Sequence, residues 1–321
     1  MTVTFGLKPD EFNLDNIRSS LLEAERLSFD KGWLGDHIHE TIITEEYSLA
    51  EVWTTLSYLS GQLDRLRLGI SILNINWRHP VLTAKAGANL DIISRGRFEL
   101  VLGLGLREEE YICYGFPFGK PSERIERCKE FLSVLKNLWT LDSFSFRGRF
   151  YNLRNAVVKP KPIQIPYPPI AVAAQGKNLI EAMPQMGAGW YVAADMPIGE
   201  YKERVRWMNN ACRRKGVDPQ SIKRGVRLQL IIDETDRELE EKILRSYENS
   251  PFNAPKEMTL TKYREKYLAG TPDMIRDVIK SYIDLGVSDF IITFMEPDFR
   301  KNDFRSIELF GKEVINPIKS I

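Results

Sequence analysis

The sequence contains few cysteines, few histidines and almost no net charge, and each shortage excludes a class of protein. Among its 321 residues there are three cysteines and three histidines, and 45 basic against 44 acidic side chains leave a net charge of +1. An odd number of cysteines without a Cys-x-x-Cys pair predicts neither a disulfide framework nor a structural zinc site. Near-neutral charge argues against nucleic acid as a partner, because phosphate binding depends on clustered lysine and arginine.

Long apolar runs are also missing. No stretch approaches the roughly 20 apolar residues that span a bilayer. No leader-like charged and apolar segment precedes the first strand-like run, Thr2–Leu7. Three thiols without a Cys-x-x-Cys pair are typical of a protein kept in a reducing compartment. We therefore expect a cytoplasmic protein that interacts with neither membrane nor nucleic acid.

What the sequence does contain is a regular alternation of short apolar runs with segments of helical periodicity. For example, Arg67–Leu73 is typical of a strand, and Pro80–Ser94 is typical of a helix that begins with proline. About eight such units follow one another, and strands that alternate with helices pair in parallel. This number of units in this length favours an α/β fold, a closed (β/α)8 TIM barrel, over the alternative of an open Rossmann-like sheet.

Two interruptions of this alternation predict inserted loops, near residues 144–162 and 246–269. The second has weak periodicity and many polar or aromatic residues, as an inserted loop or lid would have. A proline-rich stretch, Lys159–Pro169, has the composition of a linker, but it also suits a rigid extended lead-in to the next strand. Since the alternation continues beyond it, we expect one domain over residues 1–321.

The tetrapeptide Asp36-His37-Ile38-His39 follows an apolar run and contains two of the three histidines. A His-x-His pair at a barrel strand end can bind a metal, as in metal-dependent hydrolases, but such a site needs further ligands and only His79 remains. We therefore predict no metal site. Asp36 next to His37 fits acid–base chemistry, because a carboxylate can orient an imidazole. An exposed His37 beside a capping Asp36 is an equally good interpretation of the tetrapeptide alone.

A glycine pair, Gly103-Leu104-Gly105, ends another predicted strand and is followed by the glutamates 108–110. It has two glycines of a dinucleotide fingerprint but lacks the third, and that fingerprint belongs on the first strand of its unit. The pair is therefore not a Rossmann motif. We expect the glycines to allow a flat ligand to approach the backbone at the barrel mouth.

Two further strand ends are weaker candidates for binding residues. Gly69–Leu73 ends with a small polar residue, Ser71, and by itself is typical of an ordinary core strand. Ala173-Ala174-Gln175-Gly176-Lys177 turns from a strand into a helix, where free backbone N–H groups and a lysine can bind phosphate. Turns of this kind are also common without any ligand.

Several short stretches, weak one by one, form a specific pattern in combination. They are Arg78-His79-Pro80, Leu90–Phe98, Gly103-Leu104-Gly105, Glu110-Tyr111, Gly187–Trp190 and Gly270-Thr271-Pro272. In this order they resemble the bacterial luciferase-like superfamily of flavin and deazaflavin enzymes. The resemblance covers nearly the whole chain and implies a TIM barrel that assembles as a homodimer.

Within that superfamily, Ala173-Ala174-Gln175-Gly176 is similar to the motif of branches that use coenzyme F-420, an 8-hydroxy-5-deazaflavin. This resemblance implies an oxidoreductase that transfers a hydride between C5 of the deazaflavin and a small-molecule substrate. The nearest alternative is an FMN-dependent monooxygenase of the same superfamily. A non-catalytic flavin-binding protein is a further alternative, because Arg107 stands where the family usually has glycine and the loop before the helix is shorter.

The resemblance also implies roles for individual residues. His37, held by Asp36, would exchange a proton with the substrate, and Glu108, with Glu109 as the other choice, would balance charge near N1 of the ring. The third strand would carry a bulge with a non-proline cis peptide between Ser71 and Ile72. Trp77, Arg78 and Trp190 are candidates for lining the pocket. The residues expected to bind the coenzyme are Asp36, Ser71, Ile72, Leu73, Ala174, Gln175, Gly176 and Lys177.

Overall fold

The computed structural model of the chain describes residues 2–9, 13–38, 49–192, 196–249, 258–295 and 303–320. Its strands are β1 (Thr4–Leu7), β2 (Lys31–Leu34), β3 (Arg67–Asn74), β4 (Phe98–Gly103), β5 (Phe144–Arg147), β6 (Asn152–Ala156), β7 (Ile170–Ala173), β8 (Gly189–Val192), β9 (Arg224–Ile232), β10 (Leu268–Gly270) and β11 (Val287–Phe294). Its helices are α1 (Leu14–Arg26), α2 (Val52–Ser60), α3 (Pro80–Ile93), α4 (Glu108–Cys113), α5 (Pro121–Thr140), α6 (Lys177–Ala182), α7 (Ile198–Lys215), α8 (Asp236–Asn249), α9 (Leu260–Lys266), α10 (Pro272–Ile283), α11 (Arg305–Phe310) and α12 (Asn316–Lys319).

Parallel strands close into a barrel in the order β1-β2-β3-β4-β7-β8-β9-β11, and β11 pairs back onto β1. The predicted (β/α)8 TIM barrel is therefore confirmed. The short strand β10 pairs with the C-terminal end of β9. An antiparallel hairpin of β5 and β6 occupies the insertion predicted near residues 144–162. Part of the other predicted insertion, residues 250–257, lies outside the described residues, and the single domain over 1–321 stays a prediction.

The strands are buried on both faces, as expected for a parallel sheet covered by helices. On β9, Val226 and Leu228 belong to the large core between barrel and helices. A second, smaller cluster fills the barrel interior with Trp33, Val101, Ala171, Tyr191 and Ile291. Room for the Trp33 indole comes from glycine, because a Cβ on Gly69 would lie 2.2 Å from the indole ring.

Charged side chains fill the barrel below this cluster, near the starts of the strands. The Lys31 ammonium lies 2.8 Å from a carboxylate oxygen of Glu99 and also contacts Asp289, while Arg67 contacts the other oxygen of Glu99. Burial alone would raise the pKa of Glu99, but the charges of Lys31 and Arg67 lower it to about 2. Burial would likewise lower the pKa of Lys31, but Asp289 and Glu99 raise it above its ordinary value. The network therefore keeps Lys31 and Glu99 ionised inside the barrel.

All three cysteines are free thiols, Cys113 exposed and both Cys128 and Cys212 buried. Burial raises the pKa of Cys128 to about 12. Within the part of the chain that the structure describes, no helix is both long enough and apolar enough to cross a bilayer. The cytoplasmic location stays a prediction.

Candidate active site

The C-terminal ends of β2, β3 and β4 bring the predicted site residues to one rim of the barrel. In a barrel of this type, the loops after the strands carry the reacting groups. Asp36 and His37 follow β2, Asn74 ends β3, and Glu110 lies on α4, just after β4. These segments contact one another through side-chain hydrogen bonds, which define the geometry of the rim.

Asp36 is buried, and its hydrogen bonds lead to the last residue of β3 and to the segment that follows β3. Its carboxylate accepts from Arg78 Nε at 3.2 Å, from Trp77 Nε1 at 3.3 Å and from the backbone N–H of Asn74 at 3.2 Å. The Arg78 guanidinium reaches both carboxylate oxygens, a two-pronged geometry that suits arginine. Because Asp36 is occupied in this way, it does not hold His37 among the described contacts, contrary to the predicted role.

The carboxylate that contacts His37 belongs to Glu110. His37 Nδ1 lies 3.4 Å from Glu110 Oε2, and the backbone N–H of Ile38 donates to Glu110 Oε1 at 3.0 Å. Burial alone would raise the pKa of Glu110, but the hydrogen bonds from His37 and Ile38 lower it below its ordinary value. The Glu110 side chain is 4% exposed and that of His37 is 40% exposed. A buried, charged group therefore orients an imidazole that stays accessible.

The neighbouring glutamates point away from this pair. Glu108 and Glu109 are exposed in the first turn of α4, and neither forms a hydrogen bond or an ion pair with the described residues. The next position on the helix turns toward the barrel, so Glu110 and Tyr111 are buried. The structure thus brings Glu110 to His37, and the role of Glu108 near N1 of the ring stays a prediction.

The two glycines after β4 make room for side chains of the protein itself. A Cβ on Gly103 would lie 2.4 Å from Ile72 Cγ2, and a Cβ on Gly105 would lie 1.9 Å from the Tyr111 hydroxyl. Gly105 also has a φ of +85°, which favours glycine. The two glycines therefore allow two intramolecular contacts, and their role in the approach of a flat ligand stays a prediction.

Tyr111 and two asparagines form a buried polar cluster beside the glycines. The Tyr111 hydroxyl donates to Asn74 Oδ1 at 2.6 Å and accepts from Asn76 Nδ2 at 3.0 Å. The Asn76 amide also donates to the carbonyl of Leu104 at 2.7 Å. Asn76 Oδ1 is buried without a partner in the described part of the chain. The cluster fixes the loop after β4 to the end of β3.

The bulge predicted on β3 is present. The Ser71–Ile72 peptide bond is cis, and the pairing of β3 with β4 shifts register between Ser71 and Leu73. Ser71 and Leu73 are buried, whereas Ile72 is partly exposed and packs on the interior cluster with Trp33 and Val101. Of the three binding residues predicted on this strand, Ile72 therefore offers its side chain to the barrel mouth.

The loop after β7 begins with one buried residue, which three exposed residues follow. Ala174 is buried; its N–H donates to the carbonyl of Tyr191 at 2.9 Å and its carbonyl accepts from Trp190 Nε1 at 2.8 Å. The residues after it, Gln175, Gly176 and Lys177, are exposed. Trp190 is itself part of the core between barrel and helices, so it positions this loop and does not line the mouth.

A cavity of about 350 Å³ lies between this loop and the start of α5. Gly176, Lys177 and Arg124 are among its lining residues. Arg124 donates to the carbonyl of Gly105 at 2.7 Å, and its guanidinium lies 4.0 Å from the centre of the Phe118 ring. Two cations without a carboxylate partner in the described chain face one cavity, an arrangement suited to an anionic group. No motif in the sequence pointed to Arg124.

The family model of the luciferase-like monooxygenases matches residues 2–289. The chain belongs to this family. Its closed parallel barrel agrees with the fold that the resemblance implied.

Curated relatives of this luciferase-like chain include oxidoreductases. A phthiodiolone/phenolphthiodiolone dimycocerosates ketoreductase of Mycobacterium kansasii is 31% identical over 224 residues, which cover 64% of this chain and 60% of that protein. An F-420-dependent glucose-6-phosphate dehydrogenase of Kineococcus radiotolerans is 27% identical over 253 residues, covering 78% of this chain and 72% of that protein. The chain thus spans about 60% of the ketoreductase.

Solved structures share the fold of this luciferase-like barrel at low identity. An F-420-dependent secondary alcohol dehydrogenase, in complex with an F-420–acetone adduct, superposes with a TM-score of 0.82 at 18% identity, covering 98% of this chain and 99% of that one. The oxygenating constituent of 3,6-diketocamphane monooxygenase of Pseudomonas putida, in complex with FMN, gives 0.76 at 16% identity and 98% coverage of both chains. Both coenzyme types therefore occur on this fold.

Of the three histidines, His37 and His79 lie in the part of this luciferase-like chain that the structure describes, at separate places. His39 lies outside that part, and His79 caps helix α3, where its Nδ1 accepts from the N–H of Val81 at 3.3 Å. No group of three histidine, cysteine, aspartate or glutamate side chains is arranged to hold a metal among the described residues.

Proposed function

We propose that the chain is an oxidoreductase that transfers a hydride between coenzyme F-420 and a small-molecule substrate, with His37 as the proton carrier. The observation that carries the proposal is the accessible His37 imidazole held by the buried Glu110 carboxylate at 3.4 Å. F-420-dependent enzymes among the relatives and the structural neighbours support the choice of coenzyme.

The residues at the mouth fit this coenzyme. Ile72 forms an apolar shelf above the interior cluster, and Lys177 and Arg124 line a cavity suited to the coenzyme's phosphate. Gln175 and Gly176 are exposed on the loop that leads to this cavity, and Gly176 is one of its lining residues. When bound there, the deazaflavin supplies or accepts the hydride at C5.

His37 handles the proton that accompanies the hydride. A positioned imidazole can take a proton from a substrate hydroxyl or return one to a carbonyl oxygen, and a neighbouring carboxylate fixes the ring orientation for that transfer. Glu110 is suited to this positioning role because its lowered pKa keeps it ionised near neutral pH. Trp77 packs against Tyr111, with ring centres 5.0 Å apart, and shields this corner of the rim from water.

An FMN-dependent monooxygenase is the second candidate function. The observation in its favour is the fold shared with the FMN complex of the 3,6-diketocamphane monooxygenase constituent. Titration of the purified protein with F-420 and, separately, with FMN distinguishes the two. We expect F-420 to bind. Tight FMN binding without F-420 binding would reject the first candidate.

The proton-carrier role is tested with His37→Asn. We expect this variant to retain F-420 affinity and to lose at least about 100-fold in kcat. His79→Asn is the matched control, because it makes the same change at an exposed helix cap, where asparagine is also a good capping residue. Unchanged turnover in His37→Asn would refute the role, and equal losses in both variants would attribute the effect to folding.

We also infer that the chain forms a homodimer, as the resemblance implies. Helix α3 supports this inference because Leu82 and Ile93, three helical turns apart on one face, are 70% and 52% exposed. Exposed apolar residues that align on a helix are typical of an interaction surface. Sedimentation of the wild-type protein beside a Leu82→Glu variant tests it: we expect a dimer that the charged variant dissociates.

A further inference from the structure

Arg227 is a charged residue of the barrel interior that the proposed chemistry does not use. Its neighbours on β9, Val226 and Leu228, pack outward into the core beneath the helices. Ile291 of β11 is in register with Arg227, and the side chain of Ile291 belongs to the interior cluster. Since side chains alternate across a strand, Arg227 faces the interior. Gly225, two residues earlier on β9, faces the same side and lies against the Tyr191 ring.

The positive charge of Arg227 has no counterpart within the described chain. Arg227 forms no hydrogen bond and no ion pair there, and its Nε is buried without a partner. The nearest layer of carboxylates, Glu99 and Asp289, is already neutralised by Lys31 and Arg67. A buried donor without an acceptor is costly, so this guanidinium calls for an anion that the described part of the chain does not supply.

A second unpaired donor lies beside Arg227. Thr293 on β11 is 8% exposed, and its Oγ1 is buried without a hydrogen-bond partner in the described chain. Thr293 pairs in register with Gln229, so it shares the interior face and stands one inward position closer to the mouth than Ile291. The hydroxyl and the guanidinium therefore converge from adjacent strands, which lie about 4.8 Å apart.

The pair faces the proposed coenzyme shelf across the barrel. In the closed order of strands, β9 stands four places from β3, which is the opposite wall of an eight-stranded barrel. Arg227 therefore lies opposite Ile72, while Lys177 and Arg124, the cations assigned to the coenzyme, line a separate cavity. A substrate that lies between Ile72 and β9 would place its reacting end at the coenzyme and its other end at Arg227.

We propose that Arg227 and Thr293 bind a carboxylate of the substrate, so that the substrate class is a small organic monoacid. Arginine matches the planar carboxylate with two parallel hydrogen bonds, and the threonine hydroxyl donates a third. One uncompensated guanidinium balances one carboxylate, whereas a phosphate dianion would leave a charge unpaired. The interior cluster beneath, built from Trp33, Val101 and Ile291, accommodates an apolar remainder of the acid. That the bound acid is a substrate rests on the proposed function.

The test measures ligand binding without turnover. Thermal unfolding of the protein is followed with benzoate, phenylacetate and octanoate, and with the matching amides. We expect at least one carboxylate to raise Tm more than its amide does. Arg227→Met weakens carboxylate binding about 100-fold, and Thr293→Val weakens it about tenfold, because a charge-assisted contact contributes more than a neutral one. Arg154→Met, at an exposed hairpin position, leaves binding unchanged.

A second readout needs no ligand. Because the Arg227 charge is uncompensated, Arg227→Met raises Tm of the ligand-free protein by a few degrees. A lower Tm in Arg227→Met would show that a carboxylate of the chain pairs with Arg227 and would overturn the proposal. Equal stabilisation of the wild type by acids and amides, or by neither, would overturn it as well.

Titration with F-420 keeps the two proposals separable. If Arg227 and Thr293 contact only the substrate, Arg227→Met and Thr293→Val retain wild-type F-420 affinity. Loss of both carboxylate affinity and F-420 affinity would place Arg227 on the coenzyme instead. A wild type that binds carboxylates but not F-420 would reject the proposed function and leave the carboxylate site standing.

Discussion

The two ends of the barrel hold the same kinds of charged side chain in opposite states. Near the strand starts, Lys31 is shared between Glu99 and Asp289, and all three are buried. At the mouth, Arg227 has no counterpart in the described chain, and the His37 ring is 40% exposed. In such barrels the strand starts serve stability and the strand ends serve chemistry. A charged side chain without a charged partner, more than the number of charges, therefore distinguishes the mouth from the strand starts.

Opening the charged network near the strand starts should cause the largest loss of stability. Lys31→Met leaves two buried carboxylates without their ammonium partner, so we expect the free energy of unfolding to fall by about 3–5 kcal/mol. Urea denaturation measures the loss. Lys129→Met is the control, because Lys129 pairs with Glu126 at an exposed site, and its change stays within about 0.5 kcal/mol. A loss below about 1 kcal/mol in Lys31→Met would mean that the network does not stabilise the barrel.

The same network predicts a stability that declines in acid. The folded-state pKa of Glu99, about 2, lies below its ordinary value of 4.5, so its contribution is complete above about pH 4.5 and is lost as the pH falls toward 2. The loss is on the order of 3 kcal/mol, since each pKa unit corresponds to about 1.4 kcal/mol. Glu99→Gln should therefore flatten the pH dependence of stability in this window.

Urea unfolding at a series of pH values from 5 downward, for wild type and Glu99→Gln, gives the two slopes. An unchanged m-value shows that the same structure unfolds in both proteins. Parallel slopes in this window would contradict the assignment to Glu99.

At the mouth, adjacent glutamates offer a matched pair of variants. Glu110→Gln removes the charge that orients His37, so we expect kcat to fall about 100-fold while F-420 affinity changes by less than about twofold. Glu108→Gln alters an exposed side chain without a described partner and leaves kcat close to wild type. A steady-state assay with the substrate in hand measures both. The reverse order, with Glu108→Gln the more damaging, would restore the role that the sequence assigned to Glu108.

The bulge on β3 connects the mouth with the barrel interior, because Ile72 packs against the interior cluster. Gly103→Ala places a Cβ 2.4 Å from Ile72 Cγ2, so we expect a loss of about 1–3 kcal/mol in the free energy of unfolding. Adding Ile72→Ala should recover part of this loss, and the double-mutant cycle measures the coupling. Gly199→Ala, where a Cβ meets nothing within 4 Å, serves as the control and should not destabilise. Additive effects of the first two changes would show that Gly103 does not accommodate Ile72.

Much of the fold could be predicted from the sequence, because strand and helix periods differ. The parallel barrel follows from the order of apolar runs, and Ser71–Ile72 was located through the family resemblance. The face of α4 that turns inward could not be predicted, since positions 108–110 are all glutamate. The phase of that short helix depends on the turn at Gly105, with φ +85°, and on the contact of Gly105 with Tyr111.

The residues that face the barrel interior could not be predicted from the sequence either. Arg227 lies in a run that predicts a strand, but only closure of the barrel decides which alternate positions face inward. The partner of Asp36 was missed for a related reason. Arg78 lies 42 residues away in the chain, and the end of β3 brings it to the rim. Contacts between distant segments depend on the fold as a whole, so local patterns do not reveal them.

Trp190 and Trp139 each donate a buried indole hydrogen bond to a backbone carbonyl, but only the bond of Trp190 holds the loop after β7. Trp190→Phe keeps a ring against Tyr201 but leaves the buried carbonyl of Ala174 without its donor, so we expect a loss of about 1–2 kcal/mol in the free energy of unfolding. Trp139→Phe removes an equivalent bond, from Nε1 to the carbonyl of Ala84 at 2.8 Å, behind the barrel wall. The two variants should therefore lose similar stability.

Only the change at Trp190 should reach the coenzyme. Ala174 precedes the exposed residues Gln175, Gly176 and Lys177, so a looser Ala174 lowers F-420 affinity a few-fold in Trp190→Phe, while Trp139→Phe binds as wild type does. Fluorescence titration of both variants measures this. If both lost affinity equally, the effect would reflect general destabilisation, and the loop after β7 would have no special part in binding. If only Trp190→Phe lost it, a single buried hydrogen bond would connect the core to the working end of the barrel.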